Sequence, residues 1–197
     1  DIQKLNDEQR GVYLGEFGPE DKVLAIFKDG TFYTTSFDLS NRYQGEVLKI
    51  EKFDPGKTYT ALYYDAKAKA YYVKRFSFTL SDNTPVLFIA EGQKSKLIEL
   101  SDDLHPQFQV TFGGKFEHRD PENIDAEEYI AKKGILAKGK KCHQLDVKKV
   151  KFIEPLVKED DVPGEEGYAE PVDIMDDDIT DIGDIPDIGD IEEPTLF

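Results

Sequence analysis

The chain has 197 residues, with 41 acidic and 25 basic side chains, a formal net charge of -16 and a single cysteine. The single cysteine excludes an intrachain disulfide, and no apolar run approaches the roughly 18 residues that a membrane helix requires. With no signal peptide at the start, we expect a reducing, cytoplasmic setting. Because the chain begins with Asp1 and not with Met, we expect it to be part of a longer protein.

The negative charge is confined to the C-terminal end. Of the 41 acidic residues, 16 lie in residues 159–197, which contain no Lys or Arg, so residues 1–158 hold 25 acidic and 25 basic side chains. The sequence pI of about 4.6 therefore describes neither part. Considered by segment, the charge does not argue against a nucleic-acid partner for residues 1–158.

The first predicted element is a β-hairpin. Residues 23–27 alternate in side-chain direction, residues 31–37 are β-branched and aromatic, and Asp29-Gly30 separates the two runs. Asp-Gly between two such runs is a strong hairpin signal, because both turn positions need a positive φ. Further apolar or alternating runs predict strands at 47–53, 58–64, 70–78, 85–90, 96–100 and 107–112.

The remaining part of this region predicts one short helix and one last hairpin. Asp120-Pro121-Glu122 favours a helix start that continues through 124–131. Residues 134–137 and 147–153 predict a hairpin around Lys138-Gly139-Lys140. The total of roughly nine or ten short strands is typical of a sandwich, barrel or propeller. Hairpins recur about every 30–50 residues, which is in the range of propeller blades.

Residues 158–197 differ in composition from residues 1–157. They combine acidic residues with Pro and Gly, and Asp-Ile recurs every third residue from Asp178 to Asp190. This period matches neither a strand nor a helix face, and there is too little apolar surface to offset the entropy of ordering. We expect a disordered acidic tail. Alternatively, the spaced Ile side chains form a contact face when a partner neutralises the acids.

The strongest candidate site is the lysine-rich segment 132–151, which has eight lysines against one acid, Asp146. Phosphate groups favour such a segment because binding releases counterions, with no base reading required. The alternative is a solvated lysine-rich surface. The predicted DNA-binding residues are Lys132, Lys133, Lys138, Lys140, Lys141, Lys148, Lys149 and Lys151, with Lys74, Arg75 and Arg42 as weaker companions.

No catalytic or metal site is predicted. Cys142 and His143 are adjacent, so on a strand they point to opposite faces. A zinc site needs about four ligands, and the other histidines are only His105 and His118. No nucleophile with an oriented base, phosphate-binding loop or dinucleotide motif is present. We therefore predict no catalytic residue, no metal and no cofactor.

Three stretches resemble the C-terminal domains of the A subunit of the bacterial type IIA topoisomerases, DNA gyrase and topoisomerase IV. They are VLAIFKDGTFYTTSF at 23–37, YYVKRFSF at 71–78 and GILAKGKKCHQLDVKKVKFIEPL at 134–156. GVYLGEF at 11–17 is similar to a blade entrance in that family. The resemblance covers roughly residues 10–157, and an acidic tail after the last blade is typical of the family.

The resemblance implies an all-β, propeller-like β-pinwheel in residues 1–157 and a disordered acidic tail in 158–197. It implies a domain that binds and bends double-stranded DNA on a basic rim. The implied partners are the rest of the A subunit and the ATPase B subunit, where the catalytic groups lie. The tail would then compete with DNA for the rim.

Two departures from the family pattern are visible. The length suggests about three blades, where the family usually has about five or six. The Q-R-R-G-G-K-G box of gyrase is absent, which puts negative supercoiling in doubt and favours a topoisomerase IV-like subunit. The alternative function is a non-enzymatic protein-interaction module whose acidic tail recruits a basic partner.

Overall fold

A computed structural model describes residues 2–8 and 10–157. Nearly all of its regular structure is β-strand, with one α-helix (α1, Ala126–Tyr129) and one 3-10 turn (Gly114–Phe116). The strands are β1 (Ile2–Lys4), β2 (Val23–Phe27), β3 (Thr31–Thr35), β4 (Arg42–Gln44), β5 (Val47–Lys52), β6 (Tyr59–Asp65), β7 (Ala70–Phe76), β8 (Val86–Leu87), β9 (Lys96–Ser101), β10 (Gln107–Phe112), β11 (Glu122–Asp125), β12 (Lys140–Lys141) and β13 (Val147–Ile153). The predicted tail, 158–197, lies outside the described residues.

The strands form four antiparallel sheets, and their order repeats along the chain. We call β5-β2-β3-β8 the first sheet, β9-β6-β7-β12 the second and β13-β10-β11 the third, while β1 pairs with β4 alone. In each of these three sheets, a hairpin (β2–β3, β6–β7 or β10–β11) lies next to a third strand, β5, β9 or β13, which pairs with the first strand of the hairpin. In the first and second sheets a fourth strand, β8 or β12, pairs with the second strand of the hairpin. That fourth strand is reached only after the following hairpin has been made.

A shared irregularity supports reading the three sheets as repeats. The pairing shifts register between Ile26 and Phe27 in the first sheet, between Leu62 and Tyr63 in the second, and between Thr111 and Phe112 in the third. Each shift lies within the first hairpin strand, where that strand pairs with β5, β9 or β13. The all-β prediction is confirmed, and none of the described sheets closes into a barrel. A pinwheel stays a prediction.

The hydrophobic core lies between neighbouring sheets. Between the first and second sheets, the ring of Phe78 contacts the rings of Phe32, Tyr59 and Phe88, with centroids 4.7 to 5.3 Å apart. A second core joins the second sheet to the third, with its fully buried residues being Leu62, Val73, Phe108, Val110, Phe112, Ala126 and Cys142. These interdigitated side chains hold the sheets as layers, as apolar burial is the main stabilising term.

The predicted helix is displaced. Residues 122–125 form β11 and pair with β10, so the helix starts later, at Ala126. Its cap is Asp125, whose carboxylate accepts hydrogen bonds from the N–H groups of Glu127 at 2.8 Å and Glu128 at 3.4 Å. Asp120 is therefore not the cap. Pairing with the neighbouring strand outweighed the helix-start signal at Asp120-Pro121.

The predicted last hairpin is wrong. Lys140 and Lys141 pair with β7 in the second sheet, whereas β13 pairs with β10 in the third. The two lysine-bearing strands are therefore neighbours in sequence but members of different sheets. A turn signal cannot reveal this, because it reports local backbone preference and not the strand that supplies the hydrogen bonds.

Candidate nucleic-acid interface

All eight lysines of residues 132–151 are exposed, but they occupy three places and not one hairpin. Lys132 and Lys133 follow α1, Lys138, Lys140 and Lys141 lie at β12, and Lys148, Lys149 and Lys151 lie on β13. Both strands are edge strands, β12 of the second sheet and β13 of the third. An edge strand leaves backbone groups and side chains open to a partner.

The backbone of the β12 group is held in place by aromatic hydroxyls. The hydroxyl of Tyr63 donates to the carbonyl of Lys138, and the hydroxyl of Tyr129 donates to the carbonyl of Lys141 at 2.7 Å. Gly139 has a φ of +86°, and a Cβ there would overlap the carbonyl oxygen of Val73. The lysines therefore extend from a fixed segment, which lowers the entropy lost on binding.

Three of the eight ammonium groups have partners within the described residues. Lys138 Nζ lies 2.7 Å from the carboxylate of buried Asp65, and Lys148 pairs with Glu117. Lys140 Nζ lies 3.7 Å from the ring centroid of Tyr129 and donates to the carbonyl of the same residue at 3.2 Å. The hydrogen bond with Asp65 raises the pKa of Lys138. The charge of Lys138 is therefore partly neutralised before any ligand binds.

The contact with Lys138 also lowers the pKa of Asp65. Burial by itself raises the pKa of Asp65, but hydrogen bonds from Lys138 and from the backbone N–H of Ala68 and Lys67 lower it below its ordinary value overall. The carboxylate thus stays ionised and keeps Lys138 in place at the end of β6. This pair anchors the segment before β12 to the second sheet.

Six of the eight lysines, including Lys140, carry charge that no acid compensates among the described residues. Within the part of the chain that the structure describes, no ion pair joins an acid to any member of this set: Lys132, Lys133, Lys140, Lys141, Lys149 and Lys151. Exposed ammonium groups without acidic neighbours are available for phosphate oxygens. They form the basic surface of this region.

A cleft of about 680 Å³ links the two lysine-bearing strands. Its lining includes Lys141 of β12 and Lys148 of β13, and it adds Lys69 from the β6–β7 turn. Lys69 was missed at the sequence level, and the only signal for it was a polar turn. Glu117 and Asp146 also line the cleft. Because both signs of charge are present, the cleft alone is a weaker anion site than the exposed lysines around it.

The part of the chain that contains these lysine-bearing strands is similar to a known protein family. The family model described as "Topoisomerase C-terminal domain, Bacteroidota" matches residues 4–154. The chain belongs to this family. No curated protein matches the chain. The matched range begins at the last residue of β1 and ends one residue after β13, so it covers the first three sheets and all eight lysines but not the acidic residues 159–197.

Membership confirms the resemblance as that of a topoisomerase C-terminal domain. DNA and the other subunits of the enzyme are in general the partners of such a domain. No helix in the described ranges is long and apolar enough to span a membrane. Within residues 2–8 and 10–157, no group of His, Cys, Asp and Glu could hold a metal ion.

The prediction that Lys74 of this topoisomerase domain contacts DNA is wrong. Lys74 is only 4% exposed, and its Nζ donates to the carbonyls of Phe88, at 2.6 Å, and Ile135. Burial lowers its pKa to about 8. An ammonium group enclosed between two sheets cannot reach a phosphate, so Lys74 is a structural residue that links the segments around β8 and β12.

The two arginines have local partners. The guanidinium group of Arg75 lies 2.7 Å from Glu127, with only 13% of the side chain exposed. Arg42 is exposed on β4, and its Nη1 donates to the carbonyls of Leu39, Ser40 and Asn41. Arg42 closes a turn in a different sheet from the lysines. The backbone carbonyl of Arg75 accepts a hydrogen bond from the N–H of Lys133 at 2.9 Å, but the guanidinium group of Arg75 is held by Glu127 and does not extend to the lysine surface.

Proposed function

We propose that this topoisomerase C-terminal domain binds and bends duplex DNA for its enzyme through phosphate contacts to the exposed lysines of residues 132–151. The observation that carries the proposal is the set of six exposed lysines without an ion pair on segments fixed by the sheets. Each phosphate that a lysine neutralises releases counterions, which favours binding without any base contact. The activity we assign is topoisomerase IV-like, with DNA handling in this domain and catalysis in other parts of the enzyme.

Bending requires contacts at more than one place. Smoothly bending a site of about 20–30 base pairs costs on the order of 1–6 kcal/mol, and additional contacts must offset that cost. The lysines occur on two different sheets and after α1, so a bent duplex gains contacts that a straight one does not make. The cleft between Lys141 and Lys148 adds Lys69 to these contacts.

We divide the chain by role into a DNA-binding body, 1–157, and an acidic tail, 158–197. The tail carries 16 acids and one base, Lys158, so it competes with DNA for the same lysines. For a short flexible linker its effective concentration is in the millimolar range. It therefore weakens nonspecific binding more than binding to DNA that makes many contacts.

The test of DNA binding replaces Lys140 and Lys141 with Gln, which removes charge but keeps hydrogen-bonding capacity. The matched control is Lys28→Gln with Lys94→Gln, because both residues are exposed and make no ion pair with the described residues. Duplex affinity is measured by fluorescence anisotropy at several salt concentrations. The Lys140/Lys141 variant should lose affinity on the order of tenfold at low salt, and about two units of log–log salt slope.

The control variant should keep the wild-type affinity and slope, and both variants should keep the wild-type circular dichroism spectrum. Equal losses in the two variants would mean that overall charge, and not this surface, determines binding. If the wild-type chain does not bind duplex even at low salt, the DNA-binding role is wrong and a protein-interaction module becomes the better function.

A further inference from the structure

The third sheet has one face that is polar except at Ile153. Its strands β10 and β13 direct Phe108, Val110, Phe112 and Val150 into the core against the second sheet. Because side chains alternate along a strand, the residues between these point the other way. The strand register places them in two rows of that outer face: Lys149 beside Thr111, and Lys151 beside Gln109 and Asn123.

On the equivalent faces of the first two sheets, the central-strand positions are buried. The shared register shift aligns Thr111 with Ile26 and Leu62, which are both fully buried and pack toward the following sheet. In the third sheet a polar side chain occupies this position, and no described sheet packs on it. Terminal repeats of stacked arrays have a polar outer face of this kind. The face is therefore a solvent-facing surface of the described array.

The free edge of this sheet does not favour a further strand. Phe32 in the first sheet and Val73 in the second are equivalent positions on the second hairpin strand. Phe32 pairs with Val86 of β8, and Val73 pairs with Lys140 of β12. The same register places Pro121 at this position of the third sheet, directly before β11. Proline has no N–H to donate to a partner strand. A partner for this end is therefore expected on the face and not at the β11 edge.

The charge on this face differs from that at equivalent positions. The positions of Lys149 and Lys151 correspond to Lys49 and Glu51 in the first sheet, and to Glu99 and Ser101 in the second. The net charge of these two positions is therefore zero in the first sheet, negative in the second and positive in the third. Neither Lys149 nor Lys151 forms an ion pair with an acid in the described ranges.

Neutral donors accompany the two lysines. Gln109 Nε2 donates to Asn123 Oδ1 at 3.0 Å, which fixes the Asn123 amide and leaves its N–H groups to donate outward. The acid on this face, Asp125, is engaged as the cap of α1. The two rows contain no aromatic ring, so they provide no platform for base stacking. Lysines with amide donors are suited to the phosphate–sugar backbone of a duplex.

We infer that the outer face of the third sheet is a second contact surface for duplex DNA, separate from the β12 edge. Lys149 and Lys151 neutralise phosphates, while Asn123 donates to phosphate or sugar oxygens. The inference rests on the proposed DNA-binding function and extends it to a face that lies opposite the core of the sheet. It also predicts a preference for duplex over single strands at this face, since stacking is absent.

The experiment uses the full chain with Lys149→Gln and Lys151→Gln, compared with the Lys140/Lys141 variant and the Lys28/Lys94 control. Binding of a labelled 30-base-pair duplex and of one of its strands is measured against salt, the probe length being about that of a bendable site. The face variant should lose about two units of log–log slope for duplex and on the order of tenfold in affinity at low salt. Its affinity for the single strand should change less.

The outcomes separate the two proposals. If the face variant binds duplex like the Lys28/Lys94 control while the Lys140/Lys141 variant is weakened, the face inference is wrong, and the proposed DNA-binding function stands without Lys149 and Lys151. If duplex affinity rises in the face variant, the face holds the chain's own acidic tail and not DNA, which also overturns the inference. Combined replacement of all four lysines should give additive losses, and circular dichroism and thermal unfolding should remain unchanged.

Discussion

Single residues of this domain have roles that their type does not indicate, and Lys74 is the clearest case. It lies in a strand beside Arg75, which made it a candidate for phosphate contact, but its side chain enters the space between two sheets. There its ammonium group lies 4.9 Å from the ring centroid of Phe76 and donates to two backbone carbonyls. Without these contacts, the carbonyls of Phe88 and Ile135 would lose hydrogen-bond partners in the interior.

The lowered pKa of Lys74 gives a pH-dependent prediction. Its pKa is about 8 in the folded state, against 10.5 for the ordinary side chain. Between these values the unfolded state binds more protons, so the contribution of this group to the free energy of unfolding rises with pH. In Lys74→Met, that contribution is absent. The free energy of unfolding from urea titrations at pH 7 to 10 should therefore rise more in the wild type than in the variant.

The control for this prediction is Lys28→Met, which replaces an exposed lysine and should show the wild-type pH dependence. A constant difference between wild type and Lys74→Met across this pH range would contradict the assignment. At pH 7 the variant should also lose stability of about 1–3 kcal/mol, because two buried carbonyls lose their donor.

Among the secondary-structure elements, the short strand β12 decides where Lys140 and Lys141 lie. The Asp29-Gly30 signal correctly predicted the hairpin of β2 and β3, with Gly30 at a φ of +84°. Similar reasoning failed at Gly139, which has a φ of +86° but leads into a strand that pairs with β7. Both glycines satisfy a local backbone requirement. Only the position of β7 determines where the chain goes after Gly139.

The docking of β12 can be tested through Cys142, which directly follows it. Cys142 is fully buried, its N–H donates to the carbonyl of Tyr71 at 2.9 Å, and burial raises the pKa of its thiol to about 12. Its reaction with a thiol reagent should therefore be slow. Gly139→Ala forces a Cβ against Val73 and Lys74 at a positive φ, so β12 should detach and labelling should accelerate by an order of magnitude or more.

Gly134→Ala provides the matched control, since a Cβ there meets nothing within 4 Å and the backbone is not in the left-handed region. It should label at the wild-type rate. Equal labelling rates in the two alanine variants would show that β12 does not depend on the conformation at Gly139. Labelling followed in denaturant gives the fully exposed rate as a reference.

At the scale of the whole molecule, the sheets are interlocked and the charge is divided. The fourth strand of the first sheet follows the hairpin of the second, and that of the second follows the hairpin of the third. The first and second sheets are therefore each completed by a strand that follows the hairpin of the next sheet. Residues 1–158 have equal numbers of acidic and basic side chains, and the excess of acids begins at Glu159.

This division of charge predicts the effect of removing the tail. A chain ending at Val157 should bind duplex more tightly than the full chain at low salt, because the competing acids are absent. The difference should shrink as salt rises, since electrostatic competition is screened. Affinity is measured at matched salt concentrations for both chains. Equal affinities throughout would contradict the competing role of the tail, and matching circular dichroism spectra would confirm that the body remains folded.

Properties that depend on local composition could be predicted from the amino-acid sequence. The alternating runs indicated an all-β domain, the motifs indicated the family, and the count of acids located the charge boundary at Glu159. The exposure of the eight lysines also followed from their type, since ammonium groups are rarely buried without partners. None of these conclusions requires knowing which strand pairs with which.

Tertiary structure alone decided which sheet each strand joins. It separated β12 from β13, buried Lys74, shortened the helix by pairing residues 122–125, and left Thr111 on an outer face where Ile26 and Leu62 are covered. The physical reason is that a strand satisfies its hydrogen bonds with any correctly placed neighbour. The choice between neighbours depends on packing between residues far apart in sequence, which local patterns do not contain.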